Sequence, residues 1–97
     1  MLVLVCYDVN VSSATGQKRL RNIAKHCLDY GMRVQNSVFE CEVTPDQFVM
    51  LKANLLNAYD KDVDSLRFYF LGKKGRQKVE HYGSKKILDH LRDALII

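Results

Sequence analysis

The chain opens on an unbroken apolar run, Met1 to Tyr7, closed by the carboxylate of Asp8. A run without alternation predicts a central strand buried on both faces, with Asp8 at its end. Val9 to Gly16 is rich in Ser, Thr and Gly and reads as a loop. From about Gln17 the period changes. Leu20, Ile23, Ala24, Cys27 and Leu28 fall at i, i+3, i+4, i+7 and i+8, which predicts an amphipathic helix with Lys18, Arg19, Arg21 and Lys25 outside its apolar stripe. Tyr30-Gly31 ends it, Gly31 serving as a left-handed cap.

Arg33-Val34-Gln35 and Val38 to Val43 follow as a short and a longer strand around Asn36-Ser37, a pair that tolerates the positive backbone angles of a tight hairpin. The longer strand alternates, with Phe39, Cys41 and Val43 on one face and Glu40 and Glu42 on the other, so it is half-buried. Thr44-Pro45-Asp46-Gln47 is a helix start with a capping box. Phe48, Leu51, Leu55, Ala58 and Tyr59 mark that helix's buried stripe. After the polar Asp60 to Asp64 connection, Leu66, Phe68 and Phe70 line one face of another strand. Gly72 to Gly75 is a basic turn, and Gln77 to Tyr82 reads as a further short strand. Ile87, Leu88 and Leu91 recur at helical spacing. The apolar ending Ala94 to Ile97 is expected to dock on the chain's own body or to pair with another chain.

The order strand, helix, strand, strand, helix, strand predicts an α+β, ferredoxin-like βαββαβ fold with an extra C-terminal strand. Both helices then lie on one face and the first strand sits near the centre. Residues 1–97 form one domain, with about 77–97 a strand and tail contributing to a dimer. A surplus strand, an apolar terminus and a first strand apolar on both sides together predict a homodimer through the remaining sheet face.

The chain has 97 residues, 47% of them hydrophobic and 27% charged, the composition of a globular chain with one modest core. No apolar stretch is long enough to span a bilayer and no basic leader precedes the first strand, so a cytoplasmic location is expected. Cys6, Cys27 and Cys41 each lie within an apolar pattern and read as reduced core residues. His26, His81 and His90 are too scattered in sequence to suggest a metal site. Eleven of the fifteen Lys and Arg residues fall in two windows, Lys18, Arg19, Arg21, Lys25, Arg33 and then Lys73, Lys74, Arg76, Lys78, Lys85, Lys86. Six acids gather between them, from Glu40 to Asp64. A basic surface set apart from an acidic one suits a polyanion partner, as it also suits ordinary solvated faces.

The sequence has no phosphate-binding glycine loop, no paired metal-ligand spacing and no serine or cysteine triad. Asp8 at a strand end can initiate a turn, or it can be a carboxylate held on rigid backbone. One such carboxylate is too little to hold a catalytic divalent ion. A twofold axis near Asp8 would present two, a donor set that suits Mg²⁺, with Mn²⁺ as an alternative. The ion would polarise a phosphodiester and activate water, while nearby cations hold the backbone.

Leu2 to Asp8 with its Tyr7-Asp8-Val9 ending, the basic helix closing on Tyr30-Gly31, the stretch Arg33-Val34-Gln35-Asn36-Ser37-Val38-Phe39-Glu40-Cys41, and Asp64-Ser65-Leu66-Arg67 resemble the CRISPR-associated Cas-two family. Val79-Glu80-His81-Tyr82-Gly83 looks like its type I-C subgroup. The resemblance implies a ferredoxin-like homodimer in which Asp8 approaches its twin and binds a divalent metal. It implies a metal-dependent nuclease of double-stranded DNA or single-stranded RNA, with Tyr7, Arg33, Ser37 and Phe39 beside Asp8. It equally implies the central dimer of the complex that captures foreign DNA for spacer acquisition, a scaffold on which the Cas-one integrase does the chemistry. A toxin-like ribonuclease on the same fold is a third reading. Lys18, Arg19, Arg21, Lys25, Arg33, Arg76 and Lys78 are the expected nucleic-acid contacts. The loop before the basic helix varies in length among relatives, and one position of slip turns a helical side chain by about 100°. Phe39 also reads as a core residue, sharing its face with Cys41 and Val43.

Overall fold

A computed structural model of the chain describes residues 1–72 and 78–84. The expectations for Lys73, Lys74, Arg76, Lys85, Lys86, His90 and the apolar tail 87–97 lie outside them. Seven elements follow one another: β1 (Leu2–Asp8), α1 (Gly16–Leu28), β2 (Gly31–Gln35), β3 (Val38–Glu42), α2 (Pro45–Ala58), β4 (Ser65–Leu71) and β5 (Lys78–Gly83). The strands form one antiparallel sheet in the order β2-β3-β1-β4-β5, so the apolar first strand is central and the ferredoxin-like arrangement carries one additional edge strand. Among the described residues no helix is long and apolar enough to cross a membrane.

Strand alternation divides the core in two. Val3, Val5 and Tyr7 of β1, Phe39 and Cys41 of β3, and Leu66 and Phe68 of β4 pack with Ile23 and Cys27 of α1 and with Phe48, Leu51 and Leu55 of α2. Phe48 stands edge-on to Phe68 and Phe70, its ring centroid 5.3 and 5.0 Å from theirs. On the opposite face Leu4, Cys6, Val38 and Tyr69 form a second apolar cluster, joined by Leu71. A strand apolar from Leu2 to Tyr7 thus feeds both clusters. All three cysteines are unpaired and buried. Burial pushes the Cys6 thiol up to about 12, against the pull of Arg67, and that of Cys41 up to about 11. These thiols are core residues and not nucleophiles.

The capping box at α2 forms as the sequence predicts. The Gln47 amide donates to the Thr44 hydroxyl (3.2 Å), and the Thr44 amide donates to the Gln47 side chain (2.9 Å). Three local expectations change. Gly31 is not a left-handed cap: α1 ends at Asp29 in right-handed geometry, and only Gly83 among the described residues has a positive φ, 95°. Gly31 begins β2 instead, where a Cβ would lie 2.1 Å from the Glu40 carbonyl oxygen and 2.7 Å from Cys41 Sγ. Close strand approach, not backbone sign, is what requires glycine there. The Asn36-Ser37 hairpin closes without positive φ, and an irregularity between Arg33 and Gln35 supplies the extra twist. The buried stripe of α1 forms as expected through Ile23 and Cys27, with Leu20 and Ala24 packed against the core, but stops short of Leu28, which is exposed.

β5 is fastened to α2 as well as to β4. Lys52 Nζ lies 2.9 Å from Glu80 Oε1 and 4.8 Å from the Tyr82 ring centroid, and the Tyr82 hydroxyl donates to the same carboxylate oxygen at 3.0 Å. The Lys52 ammonium holds the Glu80 carboxyl below its ordinary range.

Candidate functional site

Asp8 ends β1 and is exposed. Its backbone is supported unequally. Toward β4 the pairing runs to the end, Asp8 opposite Ser65, whereas toward β3 it stops at Cys6 opposite Val38. One further bond on that side, from the Tyr7 amide to the Ser37 carbonyl at 3.1 Å, brings the β2–β3 turn against the end of β1. Among the described residues, no donor or cation pairs with the Asp8 carboxylate.

The pleat sends Tyr7 and Asp8 to opposite faces. Tyr7 is buried in the helix-side core, its ring stacked on Phe39 with centroids 6.1 Å apart and planes at 22°. Arg33 sits opposite Phe39 in the β2–β3 register, its guanidinium 5.1 Å from that ring's centroid. Arg33, Phe39 and Tyr7 therefore form one stack behind β1. Burial raises the Tyr7 phenol, Cys27 adds to this, and the Arg33 charge opposes it; the hydroxyl is buried without a hydrogen-bond partner. Within one protomer, the residues expected beside Asp8 therefore do not all share its face of the sheet. Tyr7 and Arg33 share the helix side, Ser37 contributes its carbonyl at the rim, and the alternation of β1 turns Asp8 away from them.

Of the cations named from the sequence, Lys18, Arg21 and Lys25 are exposed on α1. Their i, i+3, i+7 spacing puts them on one ridge about 10 Å long. Lys78, on the edge strand β5, lies 3.9 Å from Glu80 and 5.8 Å from the Phe70 ring centroid. Arg19 is different. It falls one turn before the buried Ile23 and turns inward to Asp64, with Nε 2.8 Å from Oδ2 and Nη2 3.3 Å from Oδ1. Asp64 is fully buried and also accepts the amides of Asn10 and Asp60, each at 2.9 Å. Burial alone would raise its carboxyl; the Arg19 guanidinium and the two amides outweigh that and hold it below the ordinary value. Neither Asp64 nor Asn10 emerged from the sequence as a structural anchor. The available signal was the Arg19-to-Ile23 spacing, which places Arg19 on the inward side of its helix.

No cluster of three or more His, Cys, Asp or Glu side chains able to hold an ion occurs among the described residues. The two carboxylates near the rim differ in what they can offer. Asp64 is saturated by four donors, while Asp8 offers hard carboxylate oxygen of the kind Mg²⁺ takes, one carboxylate per chain.

A ferredoxin-like antiparallel sheet whose central strand ends in an exposed aspartate places this chain among small α+β proteins with a carboxylate at the sheet rim. Its lineage is narrower than that class: a family model described as CRISPR associated protein Cas2 matches residues 1–79, and the chain belongs to that family. It is 56% identical over 97 residues to the CRISPR-associated endoribonuclease Cas2 of Chlorobaculum tepidum, covering 100% of both chains. It is 54% identical over 96 residues to the CRISPR-associated endonuclease Cas2 of Halalkalibacterium halodurans, covering 99% of both. Among solved structures, that of Streptococcus pyogenes Cas2 at pH 6.5 aligns with a TM-score of 0.70 and 59% identity, over 76% of this chain and 89% of that one.

Proposed function

We propose that this chain is a metal-dependent endonuclease of the CRISPR adaptation machinery, working as a homodimer in which the Asp8 carboxylates of two copies hold one Mg²⁺ or Mn²⁺. The observation behind this reading is the contrast at the sheet rim: Asp8 is exposed and has no partner among the described residues, whereas the neighbouring Asp64 is fully engaged. One protomer supplies one carboxylate, so the ion's remaining ligands are the partner copy's Asp8, water and phosphate oxygens. When bound, the ion supplies Lewis acidity toward the phosphodiester and toward water. The chain's own residues bind and orient. Lys18, Arg21 and Lys25 hold the sugar–phosphate backbone without reading sequence. Arg33, braced on Phe39 on the helix side of the sheet, offers a planar donor to phosphates flanking the reacting one. Tyr7 acts from behind as packing for Phe39, its buried hydroxyl being out of reach of a bound phosphate. The names of the two relatives, endoribonuclease in one and endonuclease in the other, accord with cleavage of single-stranded RNA or of duplex DNA.

A second reading is favoured by the α1 ridge itself. Three exposed cations on one helix face suit a dimer that carries duplex DNA for a Cas-one integrase, with no cutting of its own. The two readings separate in one experiment. Labelled duplex DNA and single-stranded RNA are incubated with wild type and with Asp8→Asn, in Mg²⁺, in Mn²⁺ and in chelator. Metal-dependent cutting that disappears in the variant, with dimer mass unchanged in sedimentation, is the expected result. Tight, salt-sensitive binding without cutting in either protein would leave the scaffold alone.

A further inference from the structure

β1 holds Asp8 on one side only. Beyond it the loop 9–15 contains no strand or helix, yet it must leave the rim at one angle to reach α1. Four hydrogen bonds set that angle. The Asn10 amide, two residues past Asp8, donates to Asp64 Oδ1 at 2.9 Å. Arg19 Nη2 donates back to the Asn10 carbonyl at 3.2 Å and to Ser13 Oγ at 3.1 Å, while Nη1 donates to the Thr15 hydroxyl. Gly16 lets the loop close on the helix, since a Cβ there would lie 2.3 Å from the Asn10 carbonyl oxygen. The same Asp64 immediately precedes Ser65, the residue opposite Asp8 in the β1–β4 register. Asp64 and Arg19 thus hold the chain two residues beyond the candidate ligand, at Asn10, and Asp64 itself immediately precedes that ligand's cross-strand neighbour.

We propose that Arg19 and Asp64 are positioning residues for Asp8, the buried pair fixing the exit of β1 so that the carboxylate stands in one place at the rim. This rests on the reading of Asp8 as the metal ligand. It removes Arg19 from the phosphate contacts and makes the basic ridge of α1 a set of three cations. Asp64 is fully buried and the Arg19 side chain largely covered; replacing such a pair by apolar groups is often neutral for stability, so the geometry it specifies is a role separable from stability. Only an arginine fork reaches Asp64, Asn10, Ser13 and Thr15 together; a lysine ammonium is a point donor.

The test compares Arg19→Gln, Arg19→Lys, Asp64→Asn and the Arg19→Gln/Asp64→Asn double variant with wild type. Hydrogen exchange is measured first, in metal-free protein without nucleic acid. The Asn10 amide is expected to exchange roughly ten-fold faster or more in every variant, while the interior of β1 keeps its protection, as expected for a local opening. Unchanged exchange at Asn10 in Arg19→Gln and Arg19→Lys would overturn the proposal, and these two variants decide it if Asp64→Asn loses protection throughout β1. Cleavage kinetics come second. Displacement of a ligand by about 1 Å can lower a rate roughly 100-fold, so kcat is expected to fall by about 10- to 100-fold in each single variant, no further in the double variant, with KM little changed. Arg19→Gln and Asp64→Asn alter net charge in opposite directions, which a phosphate contact could not disguise. Weaker binding with a salt slope reduced by about 1 in Arg19→Gln alone, restored by Arg19→Lys, would make Arg19 a phosphate contact and overturn the proposal. If wild type cuts neither substrate, the nuclease reading fails and exchange at Asn10 decides the positioning role by itself.

Discussion

At the scale of single residues, environment separates groups of identical chemistry. Asp8 and Asp64 are both carboxylates at one end of the sheet, but only Asp64 is dry and ringed by donors. In the unfolded chain its carboxyl titrates near 3.8, and in the fold it is held lower, so the folded state is the weaker proton binder. Its contribution to stability is therefore complete above about pH 4 and is lost as pH falls. Asp64→Ala is expected to lower stability by about 2 kcal/mol at neutral pH, by leaving the Asn10 and Asp60 amides as well as Arg19 without their acceptor, and to flatten the acid limb of a denaturation profile. Urea titrations between neutral and acidic pH measure both effects; an acid limb as steep as wild type would rule the group out as its source. Gly31→Ala offers a second residue-scale check. Its Cβ would collide with the Glu40 carbonyl of the neighbouring strand, so thermal unfolding should show a clear loss of stability despite the β-carbon's favourable effect on chain entropy.

Elements form for local reasons and are held by distant ones. The Thr44–Gln47 box starts α2 from four consecutive residues, and its removal in Thr44→Ala is expected to cost about 1 kcal/mol. Leu51, on the same helix, is fully buried in the core shared by α1, α2 and the sheet. Leu51→Ala is expected to cost about 3 kcal/mol through lost burial and the cavity it leaves. Chemical denaturation of the two variants side by side checks the ratio; equal losses would mean that α2 is held by its cap rather than by its packing. The helix start and the alternation of β3 were legible because each is written within a few residues. The stripe of α1 was less so. Leu28 fits the apolar period but is exposed, and Arg19 breaks the period but faces inward, because an ion pair can occupy a seam that hydrophobicity alone would assign to an aliphatic side chain.

For the whole molecule, the division of charge between faces becomes geometric. Glu40 and Glu42 alternate onto the sheet face away from the helices, while Lys18, Arg21 and Lys25 ride on α1 above the other. Reversing all three cations to Glu is expected to weaken duplex binding and to reduce the salt slope by about 3, since each released counterion contributes roughly 0.9 to it. Affinity measured across a salt series at neutral pH tests this; a wild-type slope in the triple variant would place the nucleic acid on another surface. The fold should survive, because none of the three side chains enters the core.

The sequence by itself determined the order of elements, the central place of the first strand, the capped second helix, the reduced cysteines and the position of Asp8 at a strand end. Each of these follows from short-range periodicity or from the chemistry of adjacent residues. The tertiary structure decided which face each side chain meets and which partner it finds. Arg19 and Asp64 are 45 residues apart in the chain, and nothing local to either announces the other. Tyr7 and Asp8 are neighbours in sequence, yet the pleat directs one into the core and the other to solvent. Gly31 looked like the end of a helix and proved to be the point where two strands touch. In each case a contact made across the sheet overrode what the local chain would have chosen.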